Sequence, residues 1–288
     1  MAGAYFMEIL DGTILAPAAP AMARELGVTP VQVNVVLTTY LLTVAVFIPG
    51  SGWLADRFGV RSVFLGALVI FTLASAGCAT ASTLGALVAA RVAQGVGGAL
   101  MVPVGRLAIL RSTPKSALMT AIAYLTWPAP FAPVLAPTLG GVLSTYASWR
   151  WIFVVNLPLG TIAVLVGLRL LPVGRPALAR ALDWPGLLLV AGTVAALTIG
   201  LELLGGPGAT PSGLAALGLA VIIGSAAAVH LRRTAQPLLD LGLLRTRTLR
   251  VTATGGGVYR MVVYAVPFLV PLYLIVGFGW TGPTPGWS

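Results

Sequence analysis

Charge is what this sequence most lacks. Of 288 residues only 8% are Asp, Glu, Lys or Arg, 58% are hydrophobic, and the mean hydropathy is +0.98. A soluble globule is excluded, because its surface would have almost nothing polar to present. Cys78 is the sole cysteine, which excludes a disulfide framework and a metal–thiolate pair. His230 is the sole histidine, which excludes any site needing two, and its place near a predicted helix end marks it as an interfacial polar residue. There is no Gly-rich loop ending in Gly-Lys-Ser/Thr, no H-E-x-x-H, no aspartate pair on adjacent helices and no Ser/His pair at comparable depth, so neither ATP use nor intramembrane catalysis has support. Acidic side chains number 7 against 17 Lys and Arg, a net +10. The arginines are dispersed over separate loops and form no basic face, so no nucleic-acid partner is expected.

What is present is a succession of apolar runs, each near the roughly 20 residues needed to cross a bilayer. Nine helices are predicted: Gly3–Ala23, Asn34–Leu54, Ser62–Ala81, Leu84–Leu107, Leu118–Leu143, one ending near Leu171, Trp184–Leu204, Ser212–Leu231 and Val251–Gly279. The segment preceding the small residues Ala16 to Ala23 has no Lys or Arg and contains Glu8, so the first helix is expected to be retained and not cleaved as a signal peptide. Pro49 and Gly50 predict a bend in the second helix. Ser148-Trp149-Arg150-Trp151 predicts an interfacial anchor with both indoles at headgroup level, and Glu202 is expected at an interface.

The loops after helices 2, 4, 6 and 8 hold Arg57, Arg61, Arg106, Arg111, Lys115, Arg175, Arg180, Arg232, Arg233, Arg245, Arg247 and Arg250, whereas the alternate loops hold only Arg24 and Arg150. By the positive-inside rule the amino terminus is expected in the cytoplasm.

Three stretches carry chemistry. Gly52-Trp53-Leu54-Ala55-Asp56-Arg57-Phe58-Gly59-Val60-Arg61 places three charges between two apolar runs. It predicts a tight loop turned by its glycines, with Asp56 beside Arg57 and within reach of Arg61 as a charge-paired latch. Asp11 lies near the middle of the first helix, where a charge costs several kcal/mol unless neutralised or facing an aqueous cavity. It either contacts protons or substrate, or is a buried residue bonded to Thr13 or to a backbone break near Pro17. Arg91 and Gln94 lie one turn apart in Arg91-Val92-Ala93-Gln94-Gly95-Val96-Gly97-Gly98, and the glycines beyond them let another helix pack close. The structural alternative for Arg91 is snorkelling to the interface.

These stretches resemble signatures of the major facilitator superfamily. The first is similar to the G-x-L-A-D-R-x-G-x-R motif between helices 2 and 3, and the third to R-x-x-Q-G-x-G. Leu10-Asp11-Gly12-Thr13-Ile14 with Pro20 resembles the first helix of the fourteen-helix drug:proton antiporter branch, although Ala16-Pro17 stand where that branch commonly has an Asn. Ala132 to Gly141 resembles its antiporter motif ending G-P-x-x-G-G, with Ala136 in place of a glycine.

The resemblance implies an all-α, polytopic helical membrane protein: a six-helix bundle of the major facilitator fold over 1–172, a linker helix pair with basic loops over 173–250, and a ninth helix over 251–279. It implies export of small amphipathic compounds such as drugs across the bacterial plasma or inner membrane against inward proton flow, with no cofactor. Asp11 would take up and release the proton, Arg91 would tune it with Gln94, and Pro133, Pro137, Gly140 and Gly141 would form a gate. Gly52, Asp56, Arg57, Gly59 and Arg61 would form the latch, and Tyr40, Tyr124, Trp127 and Phe131 would line the half-cavity. Lipid, substrate and protons are the expected partners, joined by a periplasmic adaptor in a Gram-negative host. Relatives of this branch continue through further spans, so residues 280–288 are expected to be a non-native tail on a truncated chain. The rival expectation is an inactive fragment or assembly partner without transport of its own.

Overall fold

The computed structural model describes residues 1–128, 130–172, 181–205, 211–259 and 262. Every regular element among them is helical: α1 (Ala2–Thr13), α2 (Ala19–Leu26), α3 (Pro30–Phe47), α4 (Ser51–Phe58), α5 (Val60–Thr80), α6 (Leu84–Ser112), α7 (Leu118–Thr126), α8 (Phe131–Tyr146), α9 (Trp151–Val154), α10 (Asn156–Leu170), α11 (Trp184–Gly205) and α12 (Pro211–Arg233), with short 3-10 turns between some of them. Seven helical stretches among these residues are long and apolar enough to cross a membrane. Contacts divide the chain into one unit from Met1 to Leu238 and a second from Leu239 onward.

The predicted first helix is broken. Pro17 and Pro20 each remove an amide donor, so the chain passes through a 3-10 turn at Ala16–Ala18 and restarts as α2 with Pro20 in its first turn, where a missing N–H costs nothing. Gly27 then ends α2 in the left-handed region at φ 67°, and Thr29 and Gln32 open α3 with a reciprocal capping box. The bend predicted at Pro49 and Gly50 is present as a 3-10 turn joining α3 to α4. The predicted fifth helix is divided into α7 and α8 around Pro128 and Pro130.

The sharpest difference concerns the charged stretch after the second predicted helix. It is not a loop. Gly52 to Phe58 continue the helix as α4, and the reversal falls on Gly59 alone, whose φ of 84° is unfavourable for a residue with a Cβ. The helix accommodates Asp56 and Arg57 because neither side chain is buried.

The first unit has two apolar clusters. One gathers Leu10, Ile14, Met22, Val36, Leu87, Ala132, Trp149 and Phe153; the other gathers Met7, Tyr40, Phe64, Leu68, Phe71, Met101 and Val104. On α1, α5 and α6 alike, the residues between the two clusters are polar: Asp11, Ser75, and Arg91 with Gln94. Outward faces carry exposed side chains such as Leu73, Leu170, Val221 and Ile222, as suits contact with lipid.

Helices α11 and α12 pair through small residues, Gly200 lying against Leu217. Thr38 of α3 donates to Glu202 of α11 at 2.9 Å. His230 is not a solitary interfacial group. Its Nε2 lies 2.8 Å from Asp183 Oδ1, and the amides of Gly186 and Leu238 donate to the same carboxylate at 2.9 and 3.2 Å, which ties the start of α11 to the end of α12. Burial acts to raise the Asp183 carboxyl, but the bonds from His230 and the two amides outweigh it and hold the group below its ordinary value of 3.8. A depressed folded value stabilises the pairing above the unfolded value, and that stabilisation is lost as pH falls through the folded one. Acid titration followed by helix-pair unfolding should therefore show an acid limb beginning below about pH 4, and Asp183→Asn should flatten it.

In the second unit, Asp240 caps a 3-10 turn at Leu241–Arg245 by accepting from the Gly242 amide at 2.8 Å, and residues 247–259 are helical. Arg175, Arg180, Arg260, the remainder of the predicted ninth helix and residues 280–288 lie outside the described residues.

Candidate functional site: a buried charge network

Asp11, Arg91, Gln94, Ser75 and Asn156 meet between the two apolar clusters, each no more than 2% exposed. Arg91 Nη1 donates to Asp11 Oδ2 in a close ion pair and to Gln94 Oε1 at 2.7 Å. Gln94 Nε2 donates to Asp11 Oδ1 at 3.0 Å and to Ser75 Oγ at 2.7 Å, and Ser75 donates onward to the Phe71 carbonyl at 2.9 Å. Asn156 Nδ2 completes the carboxylate shell at 2.9 Å from Asp11 Oδ1. Because Arg91 can only donate, the oxygen of the Gln94 amide must face it, which fixes the amide orientation.

Arg91 reaches further. Its Nε donates to the Val36 carbonyl at 3.4 Å, and its guanidinium lies 4.0 Å from the centroid of the Tyr40 ring and 5.8 Å from that of Phe153. Nη2 has no hydrogen-bond partner among the described residues, and the aromatic faces are its compensation. The pair thus joins α1 and α6 directly and touches α3, α9 and α10, while Gln94 carries the network on to Ser75 of α5. A buried pair is weak evidence for stability, since desolvating two charges offsets much of their attraction. Its presence in an apolar bundle points to work instead.

Asp11 is buried, as its structural alternative had it, but its side-chain partners lie on α6 and α10. Thr13 Oγ1 donates to the carbonyls of Ile9 and Leu10 and not to Asp11. Arg91 is sealed in the core, far from a snorkelling geometry.

Glycines of α6 bring the other helices close enough for the network to form. A methyl at Gly95 would meet Thr43 Cβ at 2.7 Å and the Tyr40 carbonyl oxygen at 3.1 Å on α3; one at Gly97 would meet the Ala67 carbonyl oxygen and the Phe71 amide nitrogen on α5, both at 2.8 Å. On α8, Ala132, Ala136 and Gly140 recur every fourth residue and face inward, Gly140 against the Ile14 backbone just after α1 ends. Ala136 is fully buried in this stripe. Pro133 is half-buried, Pro137 is exposed, and Gly141 faces open space.

At the end of the bundle that holds α4, the expected pairing within the charged motif is replaced by another. Asp56 accepts from Arg111 Nη2 at 2.6 Å, joining α4 to the last turn of α6, and Arg61 Nη2 donates to the Leu168 carbonyl at 2.6 Å. On a helix, Asp56 and Arg57 point in different directions, so neighbours in sequence are not neighbours in space. Both side chains of the Asp56–Arg111 pair are nearly half exposed. Asp56→Asn is therefore expected to cost under about 1 kcal/mol in thermal unfolding, and that difference should shrink in high salt. Gly52 has nothing near the position of an added methyl.

At the opposite end, Trp149 is not an interfacial anchor. Its ring is 1% exposed, its Nε1 donates to Glu25 Oε2 at 2.6 Å, and Arg150 lies over it while pairing with Glu25 and donating to the Ala81 carbonyl at 2.8 Å. Only Trp151 of the two indoles is half exposed. The remaining cavity candidates separate. Tyr40 is buried beneath Arg91, whereas Tyr124, Trp127 and Phe131 are exposed on α7 and α8, the last two in edge contact with centroids 5.1 Å apart.

A multi-pass helical bundle with an aspartate–arginine pair at its centre narrows the comparison with known proteins. The profile of the Major Facilitator Superfamily matches residues 1–288. The chain belongs to the Major Facilitator Superfamily. It is therefore a multi-pass membrane protein of a transporter family and not an enzyme. Its relatives within the superfamily include proteins named "Putative multidrug resistance protein MdtD" from Cronobacter sakazakii, 45% identical over 281 residues, and from Klebsiella pneumoniae, 43% identical over 281 residues. A protein of the same name from Escherichia fergusonii is 42% identical over 280 residues. Each alignment covers 96% of this chain and 59% of the relative's length.

Sequence reasoning missed Asn156, Ser75 and Arg111. Asn156 was within reach, as a lone amide carried into an apolar run. Ser75 gave no signal, because a serine in a membrane helix commonly bonds to its own backbone, as this one also does.

Proposed function

We propose that the chain takes part in proton-coupled export of small amphipathic compounds, drugs among them, across a bacterial plasma membrane with its amino terminus in the cytoplasm. The observation that carries this reading is the sealed Asp11–Arg91 pair at the meeting point of five helices. Adding a proton to Asp11 cancels one charge of the pair and releases Arg91 and Gln94, so protonation and helix movement become one event. An arginine does not give up its proton, so Arg91 acts as the tuning charge and Asp11 as the proton carrier. The names of the relatives support drugs as the cargo.

In this reading the helix from Gly52 through Asp56 and Arg57 to Gly59, with Arg61, is the cytoplasmic latch, held in this arrangement by Arg111. Pro133, Pro137, Gly140 and Gly141 shape α8 as the gate against the break in the first helix. Tyr124, Trp127 and Phe131 offer aromatic surface to substrate, and a periplasmic adaptor would extend the path in a Gram-negative cell.

Everted vesicles containing the chain test this. Ethidium should accumulate inside when the lumen is acid, and both nigericin and Asp11→Asn should abolish accumulation. Uptake that survives either treatment would overturn the proton-coupled reading.

A further inference from the structure

The end of the bundle opposite the charged motif holds an open cleft of about 420 Å³ between α2 and the end of α8, whose lining includes Ala21, Arg24, Glu25, Ser144, Ser148 and Trp149. The charges around it are unequally engaged. Glu25 accepts from the Trp149 indole at 2.6 Å and pairs with Arg150, which also donates to the Ala81 carbonyl at 2.8 Å. Arg24 is exposed and has no ion pair among the described residues; its Nε makes one long bond, to the Pro20 carbonyl at 3.4 Å, and its two Nη groups point to no acceptor there. Two arginines against one glutamate leave this region with one positive charge in excess.

The facing wall supplies a hydroxyl. Ser148 Oγ accepts from the Arg150 amide at 3.3 Å, and its own proton has no acceptor among the described residues, whereas Ser144 donates to the Gly141 carbonyl at 3.1 Å. Beneath the cleft the surface is apolar. Gly141, Pro137 and Val134 follow Ser144 along one face of α8, Gly141 with open space where a side chain would stand and the other two exposed. Trp151, half exposed just beyond the cleft residues, is of the type that sits at headgroup level. In the last turn of α2 an arginine complements the helix dipole wherever it points. Its position in a cleft, across from a free hydroxyl and above an apolar track, is what calls for a ligand with an anionic head and a hydrocarbon chain.

We propose that this cleft seats the phosphodiester of an anionic phospholipid of the phosphatidylglycerol type, with Arg24 and Ser148 donating to the phosphate oxygens and one acyl chain lying along α8 toward Val134. The net charge selects the headgroup. A phosphodiester with an uncharged head cancels the excess positive charge, whereas an ethanolamine head would bring its ammonium to a glutamate that Trp149 and Arg150 already engage. The bound lipid bridges α2, beyond the proline break of the first helix, to the end of α8. The site stands independently of the proton-coupled export reading.

The test uses the whole chain, delipidated in detergent and titrated with phosphatidylglycerol and phosphatidylethanolamine under native mass spectrometry. Phosphatidylglycerol should be preferred, and Arg24→Gln should weaken its binding about fivefold while leaving phosphatidylethanolamine unchanged; Ser148→Ala should cause a smaller loss. On the unaltered protein, phosphatidylglycerol with a diazirine in one acyl chain should crosslink to the peptide spanning Val134 to Ser144, and the chainless headgroup glycerophosphoglycerol should not displace it. That arm stands even if the Gln variant fails to fold. Equal phosphatidylglycerol binding with and without Arg24, or crosslinks confined to other helices, would overturn the site. Displacement by glycerophosphoglycerol or by inorganic phosphate would overturn the lipid as occupant and assign the cleft to a soluble phosphate. Equal binding of the two lipids by the unaltered chain would overturn selection by net charge.

Discussion

Arg91→Leu is expected to destabilise the first unit by about 3–5 kcal/mol, because it leaves the Asp11 carboxylate charged in the core with only the Gln94 and Asn156 amides facing it. Denaturant titration of the detergent-purified protein, followed by tryptophan fluorescence, measures this directly. The informative comparison is the double variant Asp11→Asn, Arg91→Leu. Removing both charges removes the uncompensated one, so the double variant should be more stable than Arg91→Leu alone, while proton-driven ethidium uptake stays absent in both. If the single and double variants were equally unstable, the cost would come from lost arginine packing against Tyr40 and Phe153, and the pair would not be the centre of the site.

Gly97→Ala should be among the damaging single-methyl changes in the bundle. The added carbon would lie 2.8 Å from both a carbonyl oxygen and an amide nitrogen of α5, backbone atoms that cannot swing aside as the end of a side chain can. Separating α5 from α6 also stretches the Gln94–Ser75 bond, which spans the same interface at 2.7 Å. A loss of about 1–3 kcal/mol is expected, together with weakened coupling. Gly52→Ala provides the contrast: it adds a methyl into open space on α4, and the better helix propensity of alanine should leave stability unchanged or raise it by up to about 1 kcal/mol. Thermal unfolding of the two variants side by side checks whether glycines at contact positions and glycines in motif positions differ as the packing requires.

The path from residues to fold was short for most of the chain, because the bilayer makes composition decisive. A run of about 20 apolar residues has one low-energy solution in lipid, a helix with every backbone group bonded internally. For that reason α5, α6, α11 and α12 fall within a few residues of their predicted limits, even though α6 runs a turn beyond expectation to Ser112. The bend read at Pro49 is a real interruption, whereas Pro17 and Pro128 break helices that the apolar runs alone drew as continuous. The charged stretch after α3 was misread as a loop because glycine and charge usually signal a turn in soluble proteins. At a membrane face a helix can emerge into water and carry both.

Asp11, Arg91 and Gln94 were readable as candidates because ionisable groups are expensive in an apolar run wherever they fall. Their company was not. Whether Asp56 meets Arg57, Arg61 or Arg111, and whether Trp149 lies at the headgroups or beneath Arg150, depends on helix rotation and on which helix ends adjoin, over separations of 55 residues for Asp56 and 124 for Trp149. Sequence alone determined that this is a polytopic helical membrane protein with a costly carboxylate and arginine inside it, because solvation in lipid acts on each segment separately. Only the tertiary structure decided that Asp11 is closed by Arg91, Gln94 and Asn156, because partners of a buried charge are chosen by packing between helices.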